Sequence, residues 1–233
     1  MPGGSLSPLS PPRDEGRLAS SGPTYRPWVL GLARRIGALV FRLALSVRVT
    51  GRTGIPRSGP VLLLGNHEGV LDGPLVEAFA GRSVRALGKA DLFHGIVGRL
   101  LRLIGQIPVH RGRPDRVALR EASRVLADGG ALAIFPEGTR GSGKAEEIQH
   151  GAAYVLLRCG RDQVPVVPVR VVGTERAMPR GAHRPTWRSA VQLHFGDPFF
   201  IAMPTNRHSR SAMAEVAEQL REHLVAHLTE VAA

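Results

Sequence analysis

From residue 60 onward the chain alternates short apolar runs with longer helix-patterned stretches, a rhythm that few architectures accommodate. The runs are Val61 to Leu64, Val84 to Leu87, Ile107 to Val109, Ala131 to Phe135, Val164 to Val172 and Val191 to Phe195. They are short and largely apolar, the pattern of strands covered on both faces. Between them the periodicity predicts helices over about 74–80, 92–104, 114–127 and 146–158, with a last one over 209–230. Strands alternating with helices predict an α/β domain: a mostly parallel sheet flanked by helices. The short gap before the last strand allows antiparallel pairing there, so the sheet is expected to be mixed. A length of 233 residues supports one domain with a real core plus appendages.

The appendages lie at the N-terminus. Residues 1–26 are rich in Pro, Gly and Ser, contain no signal-peptide-like apolar run and read as a disordered tail. Residues 27–49 differ. On a helical wheel Arg34, Arg35, Arg42 and Arg48 fall within an arc of roughly 140°, and most of the remainder is Leu, Ile, Val and Phe. The arginines interrupt the stretch too often for a span through hydrocarbon. It reads as an amphipathic membrane-associating helix, with Trp28 at one end, lying in the interface of an anionic bilayer. The alternative is a helix packed on the domain's own core with its arginines in water. Residues 50–233 form the main domain. The apolar helix over 92–104 presents the same choice, and its pattern favours core packing over lipid contact.

The formal net charge of +12 attracts polyanions: nucleic acid, anionic lipid or phosphorylated substrates. Aromatic residues make up only 5% of the chain, too few for the stacking platforms of a single-stranded nucleic-acid binder. The charge therefore points towards lipid and phosphate. The single cysteine, Cys159, follows an apolar run and reads as a small buried hydrophobe. No histidine cluster has metal-ligand spacing; His223 and His227 lie one turn apart on the last helix and read as a solvated face. No metal or cofactor is expected.

Four blocks carry candidate chemistry. In Gly65-Asn66-His67-Glu68-Gly69-Val70-Leu71-Asp72-Gly73-Pro74, a polar cluster follows a strand, the place where α/β folds put their chemistry. Pro74 suits the first turn of a helix, and in such a turn Asp72 can reach back to the His67 ring. A carboxylate on one imidazole nitrogen fixes the tautomer and raises the basicity of the other. The spacing alone equally fits an N-capping Asp72 and a solvent-exposed His67. In Phe135-Pro136-Glu137-Gly138-Thr139-Arg140, Gly138 permits close backbone approach, and Thr139 and Arg140 can donate to phosphate. Glu137 would repel phosphate and suits orienting an arginine or accepting from a hydroxyl. Arg111, at the end of the Ile107 strand, is a further phosphate candidate, and Val164 to Val169 is an apolar strand with prolines at Pro165 and Pro168.

The order and spacing of the four blocks, across about residues 45 to 200, resemble the glycerolipid acyltransferase family, and among it the bacterial 1-acylglycerol-3-phosphate acyltransferases. The resemblance implies that His67 is the general base activating an acceptor hydroxyl and that Asp72 orients it. It implies that Arg111, Glu137, Gly138, Thr139 and Arg140 hold a glycerol phosphate, and that Val164 to Val169 supports the acyl or donor site. The donor is expected to be acyl-CoA or acyl carrier protein, the acceptor the sn-2 hydroxyl of 1-acylglycerol 3-phosphate, and the location peripheral on the cytoplasmic face of the membrane. The alternatives are another lysophospholipid or glycerol 3-phosphate as acceptor, or a non-catalytic protein that binds the membrane surface. Family members often carry an acidic or other polar residue just before the arginine of the second block. Here His110 stands there, which opens the acceptor head group to variation.

Overall fold

The apolar runs become strands of a single sheet: Val61–Gly65 and Ala131–Ile134, buried at every residue, form its middle, and Ala190–Phe195 alternates buried with more exposed residues nearer one edge. The computed structural model describes residues 27–110, 115–138, 145, 148–182 and 184–231. Among them the strands are β1 (Ser46–Thr50), β2 (Val61–Gly65), β3 (Val84–Lys89), β4 (Ile107–Val109), β5 (Ala131–Ile134), β6 (Val166–Val172) and β7 (Ala190–Phe195). Their order is β1-β7-β6-β2-β5-β3-β4. Every pairing is parallel except that of β6 with β7, so the expected mixed, mostly parallel sheet is what forms. The helices are α1 (Pro27–Ala44), α2 (Asp72–Phe79), α3 (Gly95–Leu103), α4 (Arg116–Ala127), α5 (Gly151–Arg158), α6 (Thr174–Ala177) and α7 (Arg210–Glu230).

Connection handedness assigns the helices to faces. The crossovers through α2 and α3 step towards the β4 edge, and those through α4 and α5 step back. Right-handed crossovers therefore put α2 and α3 on one face and α4 and α5 on the other. The cores agree. One joins Leu62, Leu132 and Ile134 to Leu126 of α4, Leu156 of α5 and Leu220 of α7. The other joins Leu63, Ala133 and Val167 to Leu75 and Phe79 of α2, with Ala38 and Phe41 of α1 packed on it. Cys159 is buried in the first core, as expected.

Three expectations are corrected. The helix expected over 27–49 ends at Ala44, and Ser46–Thr50 is the edge strand β1, paired with β7. Ser-Val-Arg-Val-Thr has the period of two that a strand with one covered face needs, and Arg48 belongs to it rather than to a basic helical arc. The helix expected over 92–104 does not pack into a core: of α3 only Gly98 is buried. Finally, His227 is not on a solvated face. It is buried, its ring stacks on His194 at 5.1 Å, and burial lowers its pKa. The tail of residues 1–26 lies outside the described residues.

A polar tie fastens α2 to the β3–β4 side of the sheet. Gln106 accepts a hydrogen bond from the Ala86 amide (2.6 Å) and donates one to Glu77 of α2 (2.9 Å). Burial pushes the Glu77 carboxyl up to about 8. A folded-state value above the unfolded one means that the stabilisation is complete below the ordinary glutamate range and is lost as pH rises through about 8. Glu77→Gln keeps an acceptor for Gln106 without the titration. Its thermal midpoint is therefore expected to match the parent near pH 5 and to exceed it by several degrees at pH 8.5, read by circular dichroism.

Candidate active site

The end of β2 delivers the first block to the carboxyl-terminal edge of the parallel strands. Asn66 is buried and clamps β6 with its side chain: its Nδ2 donates to the Val171 carbonyl (2.9 Å) and its Oδ1 accepts from the Val171 amide (2.7 Å). His67, the next residue, is thereby fixed at the strand end. Its Nδ1 lies 2.7 Å from Asp72 Oδ2. A carboxylate can only accept, so Nδ1 carries the proton and Nε2 is the nitrogen left to take one from a substrate. Of the two readings the spacing allowed, the paired one holds, and the His67 side chain is only 12% exposed.

Asp72 is fully buried at the start of α2. Its Oδ2 also accepts from the Gly69 amide (2.8 Å), and its Oδ1 accepts from the Thr174 hydroxyl. These donors offset the cost of taking a carboxylate out of water, and the helix N-terminus favours negative charge there. Thr174 opens α6 just beyond β6 and was missed by sequence reasoning, which treated the Val164 block as purely apolar. The available signal was a hydroxyl two residues past the end of a buried strand, at the same sheet edge as His67. Gly69 makes the approach possible: a Cβ there would lie 2.8 Å from the Thr174 backbone carbonyl carbon. Glu68 adds a second tie, accepting from the Gly173 amide (3.0 Å), and burial raises its pKa.

The third block arrives from β5. Glu137 Oε1 accepts from the His67 backbone amide (3.0 Å), so this carboxylate joins the third block to the first. The Phe135 ring lies 5.1 Å from the imidazole, forming one wall of its pocket. Gly138 sits in a turn at φ 68°, and its amide donates to the Phe135 carbonyl (3.2 Å). Thus His67, Asp72, Glu137 and Gly138 are brought together. Arg111, Thr139 and Arg140 lie outside the described residues. The Val164 to Val169 block contains β6 residues that are completely covered, Val166, Val167 and Val169, and the Val169 carbonyl accepts from the Asn66 backbone amide (3.3 Å). His110 is exposed, and its amide donates to Asp115 (3.1 Å).

A sequence model of the acyltransferase family matches residues 46–172, over half of the chain and including all four blocks. The chain belongs to the acyltransferase family. An uncharacterized protein of Mycobacterium tuberculosis is 30% identical over 186 residues, covering 74% of this chain and 49% of the relative. A 1-acyl-sn-glycerol-3-phosphate acyltransferase of Chlamydomonas reinhardtii is 30% identical over 199 residues, covering 80% of this chain and 56% of the relative. The chain thus spans about half the length of the curated relatives it matches. The crystal structure of the 1-acyl-sn-glycerophosphate acyltransferase PlsC from Thermotoga maritima superposes with a TM-score of 0.66 at 25% identity, over 88% of this acyltransferase-family chain and 80% of that one.

Thr174→Val removes the donor to Asp72 Oδ1 while keeping the side-chain shape. Denaturant unfolding is expected to show a loss of about 1–3 kcal/mol, the cost of an unmet buried acceptor. Thr174→Ser is expected to restore most of it, and equal stability of the Val variant and the parent would remove Thr174 from the site.

Proposed function

We propose that this protein transfers a fatty acyl group from acyl-CoA or acyl carrier protein to the sn-2 hydroxyl of 1-acyl-glycerol 3-phosphate, giving phosphatidic acid. The observation that carries the reading is the hydrogen bond between His67 and the fully buried Asp72, which leaves Nε2 to act as a base. The acceptor hydroxyl gives its proton to Nε2 as its oxygen attacks the thioester carbonyl. The tetrahedral intermediate collapses, the carbon–sulfur bond breaks, and the imidazolium returns the proton to the departing thiolate. Asp72 holds the ring and stabilises its transient positive charge. The names and similarity of the relatives support the glycerol phosphate acceptor. In this reading Arg111, Thr139 and Arg140 grip the phosphate, with Glu137 and Gly138 shaping the loop that presents the latter two. The exposed His110 beside Arg111 favours one alternative, a lysophospholipid with a different head group.

The location we propose is peripheral, on the cytoplasmic face of the membrane. No described helix is long and apolar enough to cross a bilayer. However, α1 buries Leu30 towards the domain and leaves Trp28, Leu32, Ile36, Leu39, Val40 and Leu43 exposed along one side. Arg35 and Arg42 are also exposed on this helix, and the Arg42 guanidinium lies over the Phe79 ring. An apolar outer face bordered by cations suits the head-group boundary of an anionic bilayer.

The test is thiol release from oleoyl-CoA with a panel of lysophospholipids and glycerol 3-phosphate. Turnover is expected to be fastest with 1-acyl-glycerol 3-phosphate. His67→Ala is expected to lower it by about 10²-fold or more with the fold retained. Parent-like turnover in that variant overturns the base assignment, and a faster reaction with another acceptor overturns the substrate.

A further inference from the structure

The helix α3 is an apolar element without a core to enter. Its outward residues Ile96, Val97 and Leu100 are 84%, 61% and 52% exposed, and Leu92 just before it is 47% exposed. Gly98 packs on the backbone of Phe93, where a Cβ would come within 2.1 Å, and the buried Phe93 with the half-buried Leu101 and Ile104 holds the helix to the domain. That anchoring leaves Ile96, Val97 and Leu100 outward. Such a concentration of exposed branched side chains on one short helix marks a surface that meets something apolar.

Three observations decide what it meets. First, α3 lies on the same face of the sheet as α1. The crossover handedness requires this, and the strand alternation agrees: Ala86 of β3 belongs to the core beneath α1 and α2, Leu87 packs on the opposite core, and Gly88 points back towards Phe93 at the root of α3. Second, Arg99 and Arg102 are exposed on α3, as Arg35 and Arg42 are on α1, so cations border both apolar surfaces. Third, α3 follows the carboxyl-terminal end of β3, the same sheet edge from which His67 emerges after β2. Two apolar helices with basic flanks on one side of a sheet match an extended anionic surface of low polarity.

We propose that α3 is a second membrane-inserting element, which with α1 docks one face of the domain on an anionic bilayer and holds the active-site edge against the lipid. The inference rests on the membrane reading of α1 and extends it to a part of the chain where sequence pattern favoured core packing. Ile96, Val97 and Leu100 enter the head-group boundary while Arg99 and Arg102 stay with the lipid phosphates. The bilayer then presents its lipid acceptor directly to the edge that holds His67.

The test uses the full chain and vesicles of phosphatidylcholine containing phosphatidylglycerol, with no acyl donor, so that catalysis plays no part. Cys159 is buried, so a thiol placed at Val97→Cys can be labelled selectively with an environment-sensitive nitrobenzoxadiazole dye. Its emission is expected to rise and shift to the blue when vesicles are added. The same dye at Val117→Cys, which is 67% exposed on α4 of the opposite face, is expected to remain water-like. The double variant Ile96→Asp with Leu100→Asp is expected to weaken vesicle sedimentation about tenfold or more, given the apolar area withdrawn from lipid. A water-like Val97 probe on sedimented protein overturns the inference, as does unchanged binding of the double variant. A parent dimer that the double variant converts to monomer, with vesicle binding unaltered, would assign α3 to self-association instead. If Ile36→Asp with Leu43→Asp abolishes sedimentation while the α3 variant does not, α1 alone is the anchor; if neither pair matters, the membrane reading itself fails.

Discussion

The buried carboxylate of Asp72 is the point on which the site depends. A carboxylate in a protein interior is tolerable only when surrounded by donors, and here two parts of the chain supply three of them. The His67 ring and the Gly69 amide come from the loop after β2, and the Thr174 hydroxyl comes from beyond β6. The requirement to satisfy one charge thus fixes the relative positions of β2, α2 and β6. The same arrangement fixes the imidazole tautomer, so the structural and chemical demands on Asp72 coincide.

Around that point, each loop at the sheet edge is tied to a neighbour through a side chain gripping a backbone. Asn66 binds Val171, Glu68 binds the Gly173 amide, and Glu137 binds the His67 amide. Side-chain-to-backbone bonds of this kind hold loop geometry without depending on long flexible partners. They explain why the polar residues of the first and third blocks need not all touch substrate. Glu137 joins two loops in this structure by accepting from the His67 amide.

The two faces of the sheet have different surroundings. The face with α4, α5 and α7 closes over a continuous core of leucine, valine and alanine. On the other face α2 packs well, whereas α1 and α3 leave large apolar side chains outside. The clustering of exposed apolar side chains on α1 and α3, with cations at their borders, suits an orientation of this face towards a lipid boundary. The active-site edge lies between these two faces, where the parallel strands end.

Much of this was legible in the sequence. The apolar runs located β2 to β7 to within two residues because the positions that face the covered cores are apolar in every strand, and the antiparallel pairing of β6 with β7 gives the mixed sheet that was expected. The pairing of His67 with Asp72 was a local possibility, five residues apart across the turn into α2, and the order of the four blocks chose it over the unpaired alternative. What sequence pattern misread was set by distant chain. Ser46–Thr50 continues the apolar character of the preceding helix, and only the free edge of β7 makes it a strand. The pattern of α3 is the same whether its apolar side meets a core or lipid, and only tertiary packing shows that no core lies beneath it. Thr174 stands 102 residues from Asp72, so its hydroxyl became part of the site only when β6 paired with β2. By itself the sequence determined most of the elements and placed His67 and Asp72 within reach of each other, because both arise from neighbours along the chain; tertiary structure decided that they pair, which distant donor completes the carboxylate's shell and which apolar surface stays uncovered, because these depend on what the fold brings alongside.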